Sequence, residues 1–207
     1  MAQYARAAAL LAKGTLNGRP VLDDALLVLE DNRNLPGAST AYEAALIGLF
    51  ERRGMPVDPA WWTSLIEKLR TRPPSINDAQ SLEYLSACFV GHECKDGLPL
   101  LAQAYAAALA HPSPGAFLLS SHGEFAWQLQ GDTDLAEQQF REAIVRSPFD
   151  PQARRHLVQL LISTGSFAKA RAEIDAIRKI NHLGMFDRLI DGLEQAVRAK
   201  EGSAPAQ

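Results

Sequence analysis

Cysteine, aromatic rings and long apolar runs are all scarce in this chain of 207 residues. Each scarcity excludes something. Two cysteines cannot build the multi-bridge framework that holds small secreted domains together. No apolar run reaches the ~18 residues needed to cross a bilayer, so direct membrane insertion of this segment is not expected. The opening Met1-Ala2-Gln3-Tyr4-Ala5-Arg6 carries one basic residue, and the short Ala/Leu run after it reads as the apolar face of a helix, not a secretion signal. β-Branched runs are rare, whereas Leu and Ala dominate, which favours helices over strands. A large charge of one sign is missing too. The formal net charge of −3 supplies no electrostatic reason to expect nucleic acid. Residues 1–140 hold 10 Lys/Arg against 16 Asp/Glu and residues 141–200 hold 11 against 7, a bias expected of solvated helix faces.

Motifs that carry chemistry are equally thin. Gly14-Thr15-Leu16-Asn17-Gly18 lacks the Lys-Ser/Thr ending of a phosphate loop and follows a helical pattern, not a strand. Ser120-Ser121-His122-Gly123-Glu124 contains the residue types of a nucleophilic triad. Adjacent helical positions diverge, however, and no Gly-x-Ser-x-Gly elbow is present. No catalytic residue and no cofactor are therefore expected. Cys88, His92 and Cys94, with Asp96 nearby, are spaced like half of a metal site, but a second ligand pair is missing. No metal is expected. Cys88 and Cys94 stay open between a disulfide, which would imply an oxidising compartment, and two reduced thiols with Cys88 half buried beside Leu82, Leu85 and Phe89. Trp61 and Trp62 project about 100° apart on a helix, so one points into the core while the other lies between repeats or is exposed.

What the chain does have is a period. Gly97, Gly131 and Gly165 are 34 residues apart, and so are Ala102, Ala136 and Ala170. Pro114 and Pro148, Trp127 and Leu161, and Phe140 and Ile174 keep the same spacing. These residue types suit a helix–turn–helix unit. The Gly closes the first helix in a left-handed conformation, the Ala admits a close helix–helix approach, and the Pro ends the second helix. Asp150 is the expected N-cap and Pro151 the first helical residue of the next unit.

Trp127, Gly131, Ala136, Phe140, Ala143 and Pro148, followed by Pro151, Leu157, Leu161, Gly165 and Ala170, resemble the tetratricopeptide repeat. The resemblance is good over residues 115–180 and partial over 81–114, where Ala106 stands at the position of Phe140. It implies an all-α, right-handed superhelical solenoid of antiparallel helix pairs with about 11 helices. They are expected near 2–13, 20–32, 38–53, 59–71, 77–90, 98–110, 115–130, 133–146, 151–164, 167–180 and 183–199. A single helical-repeat domain over 1–200 is expected, with divergent pairs in 1–80, tetratricopeptide-like repeats in 81–182, a capping helix at 183–199, and a disordered tail at 201–207.

The resemblance also implies a function. In such arrays the first helix of each pair lines a concave face. Here that face would carry Ala44, Gly48, Glu51 and Arg52, then Ser121, Phe125 and Gln128, then Gln152, Arg155 and Gln159. The expectation is a non-catalytic scaffold that presents this groove to a peptide or protein partner. Taken whole, from Leu35-Pro36 through Cys88 and Cys94 to the paired repeats, the chain also resembles the soluble C-terminal tetratricopeptide regions of some bacterial membrane proteins of glycan processing. Those are glycosyltransferases and polysaccharide polymerases or ligases. That reading makes it a periplasmic appendage whose partner is a membrane-embedded portion of the same polypeptide. The two readings leave the bacterial cytoplasm and the periplasmic face of the inner membrane both open.

Overall fold

The computed structural model describes residues 40–91 and 96–202, together with the backbone pairing of 15–16 with 19–20. It divides into two compact units, residues 1–114 and 115–207. Among the described residues are nine α-helices. The expected helices at 2–13 and 20–32 lie outside the described residues, except that Pro20 pairs with Thr15 in a two-residue antiparallel ladder. The nine expected between 38 and 199 each have a counterpart among the described residues.

In the first unit α1 (Ala41–Arg52) and α2 (Pro59–Thr71) form one pair. The next pair is α3 (Ile76–Phe89) and α4 (Leu98–Leu109). Helix α1 packs on α3, and α2 on α4. Sequence explains the starts. Asp58 accepts from Ala60 N and precedes Pro59, which needs no N–H partner at the first helical position. Ser75 and Asp78 form a reciprocal capping box. Asp78 is fully buried and accepts further bonds from Thr40, at the start of α1, and from Arg72. One carboxylate therefore ties together the entries of α1 and α3.

The second unit holds α5 (Ala116–Phe125), which continues as a π-helical turn, Ala126–Gln130, then α6 (Thr133–Arg146), α7 (Pro151–Ser163), α8 (Phe167–Ile180) and α9 (Asp187–Gly202). Gly131 and Gly165 both have φ of +73° at the turns inside the pairs, where an L side chain would be strained. Asp150 caps α7 ahead of Pro151, as expected. Phe140 and Ile174 are buried, and Ala136 and Ala170 have no exposed surface. They lie in one core with Leu157, Leu161, Ile177, Ile190, Leu193 and Val197.

The period fails in two instructive places. Gly97 has φ of −76° and begins α4, so it does not close a helix. Gly91, with φ of +78°, lies just past the end of α3. Gly97 is required for another reason: a Cβ there would lie 2.5 Å from Glu51 Oε1 and 2.6 Å from Phe89 Cζ. In α4 the buried set is Leu101, Ala104, Tyr105 and Ala108, against Ala136, Gln139, Phe140 and Ala143 in α6. The register has slipped by one residue. Tyr105, and not Ala106, takes the place of Phe140, and its hydroxyl is satisfied by Ser86 Oγ at 2.9 Å.

The C-terminal helix also departs from expectation. It begins at Asp187 and not at 183, and Leu183 is 97% exposed, with φ of +71°. Asn181 organises that turn, accepting from Phe186 N and donating to Asp187 Oδ1. Helix α9 runs to Gly202, so Glu201 belongs to the helix, paired with Arg171, and not to a tail. Residues 203–207 lie outside the described residues.

Candidate functional site

Of the expected groove residues in the first unit, Ala44 and Gly48 are buried. A Cβ on Gly48 would lie 2.6 Å from Tyr84 Cε1 and 2.8 Å from Cys88 Sγ, so this glycine seats α1 against α3. Glu51 and Arg52 follow at the end of α1. Arg52 is exposed and lies over the Tyr84 ring, 5.5 Å from its centre. Burial, helped by the charge of Asp96, raises the pKa of Glu51. Cys88 is a buried thiol, and Cys94, its partner in the disulfide alternative, lies outside the described residues. Burial also raises the Cys88 pKa, the opposite of what a thiolate nucleophile needs. His92 lies outside the described residues as well, and among the described residues no group of three His, Cys, Asp or Glu could hold a metal.

Trp62 is buried, while Trp61 is half-exposed and meets Phe50 edge-to-face at 4.9 Å. The 100° divergence read from the sequence is what separates them.

In the second unit the expected face divides sharply. Gln128, Gln152 and Gln159 are exposed and Arg155 is half-exposed. Ser121 and Phe125 are buried, with relative exposures of 3% and 2%, and present nothing to a partner. The reason is composition. Helix α5 reads Ala-Phe-Leu-Leu-Ser-Ser-His-Gly-Glu-Phe, with no ionised side chain before Glu124, and a helix apolar on every side is buried. Gly123 lets the Phe140 ring approach the helix, since a Cβ there would lie 2.6 Å from Phe140 Cε1.

Sequence reasoning missed His156. This side chain is 4% exposed on α7, between α5 and α6. Its Nδ1 is 3.1 Å from Ser120 Oγ. Its Nε2 is 2.5 Å from Arg155 Nη2 and 3.4 Å from Glu124 Oε1. The Phe140 ring meets the imidazole at 5.7 Å. The available signal was a polar residue inside the apolar stripe Ala153, Leu157, Leu160, Leu161.

Ser120, His156 and Glu124 are the residue types of a nucleophilic triad, and the geometry argues against that chemistry. A guanidinium only donates, so Nε2 must accept, and the single proton of the neutral ring sits on Nδ1. Nδ1–H then donates to Ser120 Oγ and cannot take its proton. Burial, then the charge of Arg155, lowers the His156 pKa to about 4, which keeps the ring neutral.

A cleft of about 140 Å³ between α8 and α9 is lined by Arg171, Ile174, Asp175, Arg178, Glu194, Val197 and Arg198. Its three arginines already pair with Glu201, with Asp175 and Glu194, and with Glu194. Among the described residues no helix is long and apolar enough to cross a membrane.

Residues 129–185 match the tetratricopeptide repeat family. The match begins within the π turn, takes in α6, α7 and α8, and ends at the turn before α9. No curated protein and no solved structure matches the chain.

Proposed function

We propose that the protein is a non-catalytic interaction module whose helix pairs stack as a solenoid, and whose α5/α7 face receives a peptide or protein segment. Tetratricopeptide repeats commonly mediate protein–protein interaction, and the matched residues 129–185 contain most of that face. The observation that carries the reading is Arg155. It is a half-exposed cation held by an imidazole, and among the described residues it pairs with no carboxylate. Gln128, Gln152 and Gln159 offer exposed amides on the same two helices. Amides and one fixed guanidinium favour a partner that supplies hydrogen-bond acceptors, such as extended backbone carbonyls or carboxylates.

The test begins from a partner isolated from the native cell and measured by calorimetry against the full chain. Arg155→Glu should weaken it at least tenfold while the helical melting curve stays in place. An unchanged affinity would reject this face as the binding surface.

A further inference from the structure

We propose that His156 is a positioning residue: a neutral imidazole, protonated at Nδ1, whose Nε2 lone pair fixes the guanidinium of Arg155 at the α5/α7 face. The inference rests on the reading of that face as a binding surface, and its geometry stands separately. Nε2 lies between two competitors, Arg155 Nη2 at 2.5 Å and Glu124 Oε1 at 3.4 Å. It can serve only one at a time. As a lone pair it accepts from Arg155; as N–H it donates to Glu124 and expels the guanidinium.

The surroundings select the first state. Helix α5 supplies the Ser120 hydroxyl as acceptor for Nδ1–H, with the Glu124 carboxylate beyond. Helix α6 supplies only the edge of a contact with Phe140. Helix α7 supplies the Arg155 charge, which opposes a second positive charge on the ring. On α8 Glu173 is taken by Arg154, and α9 turns Ile190, Leu193 and Val197 to the core. Arg155 Nε is buried without a hydrogen-bond partner, so the His156 contact is what holds this side chain in place. A guanidinium fixed in this way meets an acceptor without first losing rotamer freedom.

Nitrogen-15 NMR on the full chain, with no partner present, tests the proposal. At pH 7 long-range correlations should show His156 protonated at Nδ1 and bare at Nε2, and the Arg155 Nη protons should be resolved and slow to exchange. Both signatures should persist below the usual histidine range and disappear together near pH 4, the value to which its surroundings lower the ring. His156→Gln retains an acceptor for Arg155 and a donor for Ser120, and should preserve the Arg155 signals; His156→Leu should lose them. If the leucine variant does not fold, Ser120→Ala serves instead, and it should release the Nδ1–H tautomer into a mixture. An Nε2–H ring at pH 7, or a freely exchanging Arg155, would overturn the proposal. These readouts need no ligand. A fixed Arg155 whose exchange to Glu leaves partner affinity unchanged would therefore reject the binding face while upholding the tautomer.

Discussion

Replacing Asp78 with Ala removes a carboxylate that has no exposed surface and accepts six hydrogen bonds in the first unit. Thr40 contributes its N–H and hydroxyl at 3.0 and 3.2 Å, and Arg72 two guanidinium nitrogens at 2.7 and 2.9 Å. Ser75 contributes its N–H and hydroxyl at 2.8 and 2.6 Å. The variant loses the capping box, worth ~1 kcal/mol. It also strands the fully buried Thr40 donors and a half-exposed Arg72. Arg72 can turn to water, whereas each buried Thr40 donor left unpaired costs about 1–3 kcal/mol. With an m-value of ~2 kcal/mol per M, the urea midpoint of the first unit should fall by about 2 M. Fluorescence from Trp61 and Trp62 reports that unit. Asp78→Asn should be nearly as damaging, because its new NH₂ faces donors. Burial by itself would raise the Asp78 pKa; the bonds from Arg72, Ser75 and Thr40 outweigh it and hold the group well below the usual carboxylate range. Its folded value being depressed, the contribution is complete above the unfolded value of ~3.9 and is lost as pH falls toward the folded one. A midpoint shift in Asp78→Ala below about 0.5 M would refute the claim that this carboxylate joins α1 to α3.

Four further outcomes follow from other sites. Ala136→Leu places extra carbon where no surface is exposed and should cost about 1–3 kcal/mol in urea unfolding; a neutral result would mean the α6 register is wrong. Gly131→Ala forces an L residue to φ of +73° and should cost about 1–2 kcal/mol. Gly192→Ala, in an α9 position where an added Cβ would meet nothing within 4 Å, should instead stabilise by about 0.5–1 kcal/mol, and the paired melts check the sign of each. His156 is neutral when folded, with a pKa lowered to about 4, so the unfolded chain takes up a proton first, near 6.5. The resulting stability is complete above pH 6.5, falls through that window, and is lost by pH 4, in total about 3 kcal/mol; titrating the unfolding free energy of His156→Gln should remove most of that slope.

The sequence disclosed most of the fold, because the residues that make helix pairs are also the residues that make patterns. Asp150-Pro151 starts a helix, Gly131 and Gly165 require positive φ, and Ala136 and Phe140 recur 34 residues on as Ala170 and Ile174. The one-residue slip in α4 was hidden because its helix is Ala-rich: Ala102, Ala104, Ala106, Ala107 and Ala108 offer an alanine at almost any register. Gly97 kept the period by spacing alone while serving a steric role against Phe89 and Glu51.

The site was less legible. Ser121 and Phe125 occupy the repeat positions of Arg155 and Gln159, yet they are buried where the latter two are not. Position in a repeat determines direction, whereas exposure depends on neighbours that a periodic pattern does not contain. His156 was invisible for a related reason. Its partners Ser120 and Glu124 lie 36 and 32 positions away, and only the packing of α5 on α7 brings them to it.

The central claim is that the α5/α7 face is where a partner binds, and site-specific photo-crosslinking in the native cell tests it most directly. A photoreactive residue at Gln128, Gln152 or Gln159 should yield one common adduct, abolished by Arg155→Glu in the same chain. The same probe at Arg141 on α6 or Lys179 on α8, both exposed, should yield none. Adducts from α6 and α8 with none from the three glutamine positions would contradict the account.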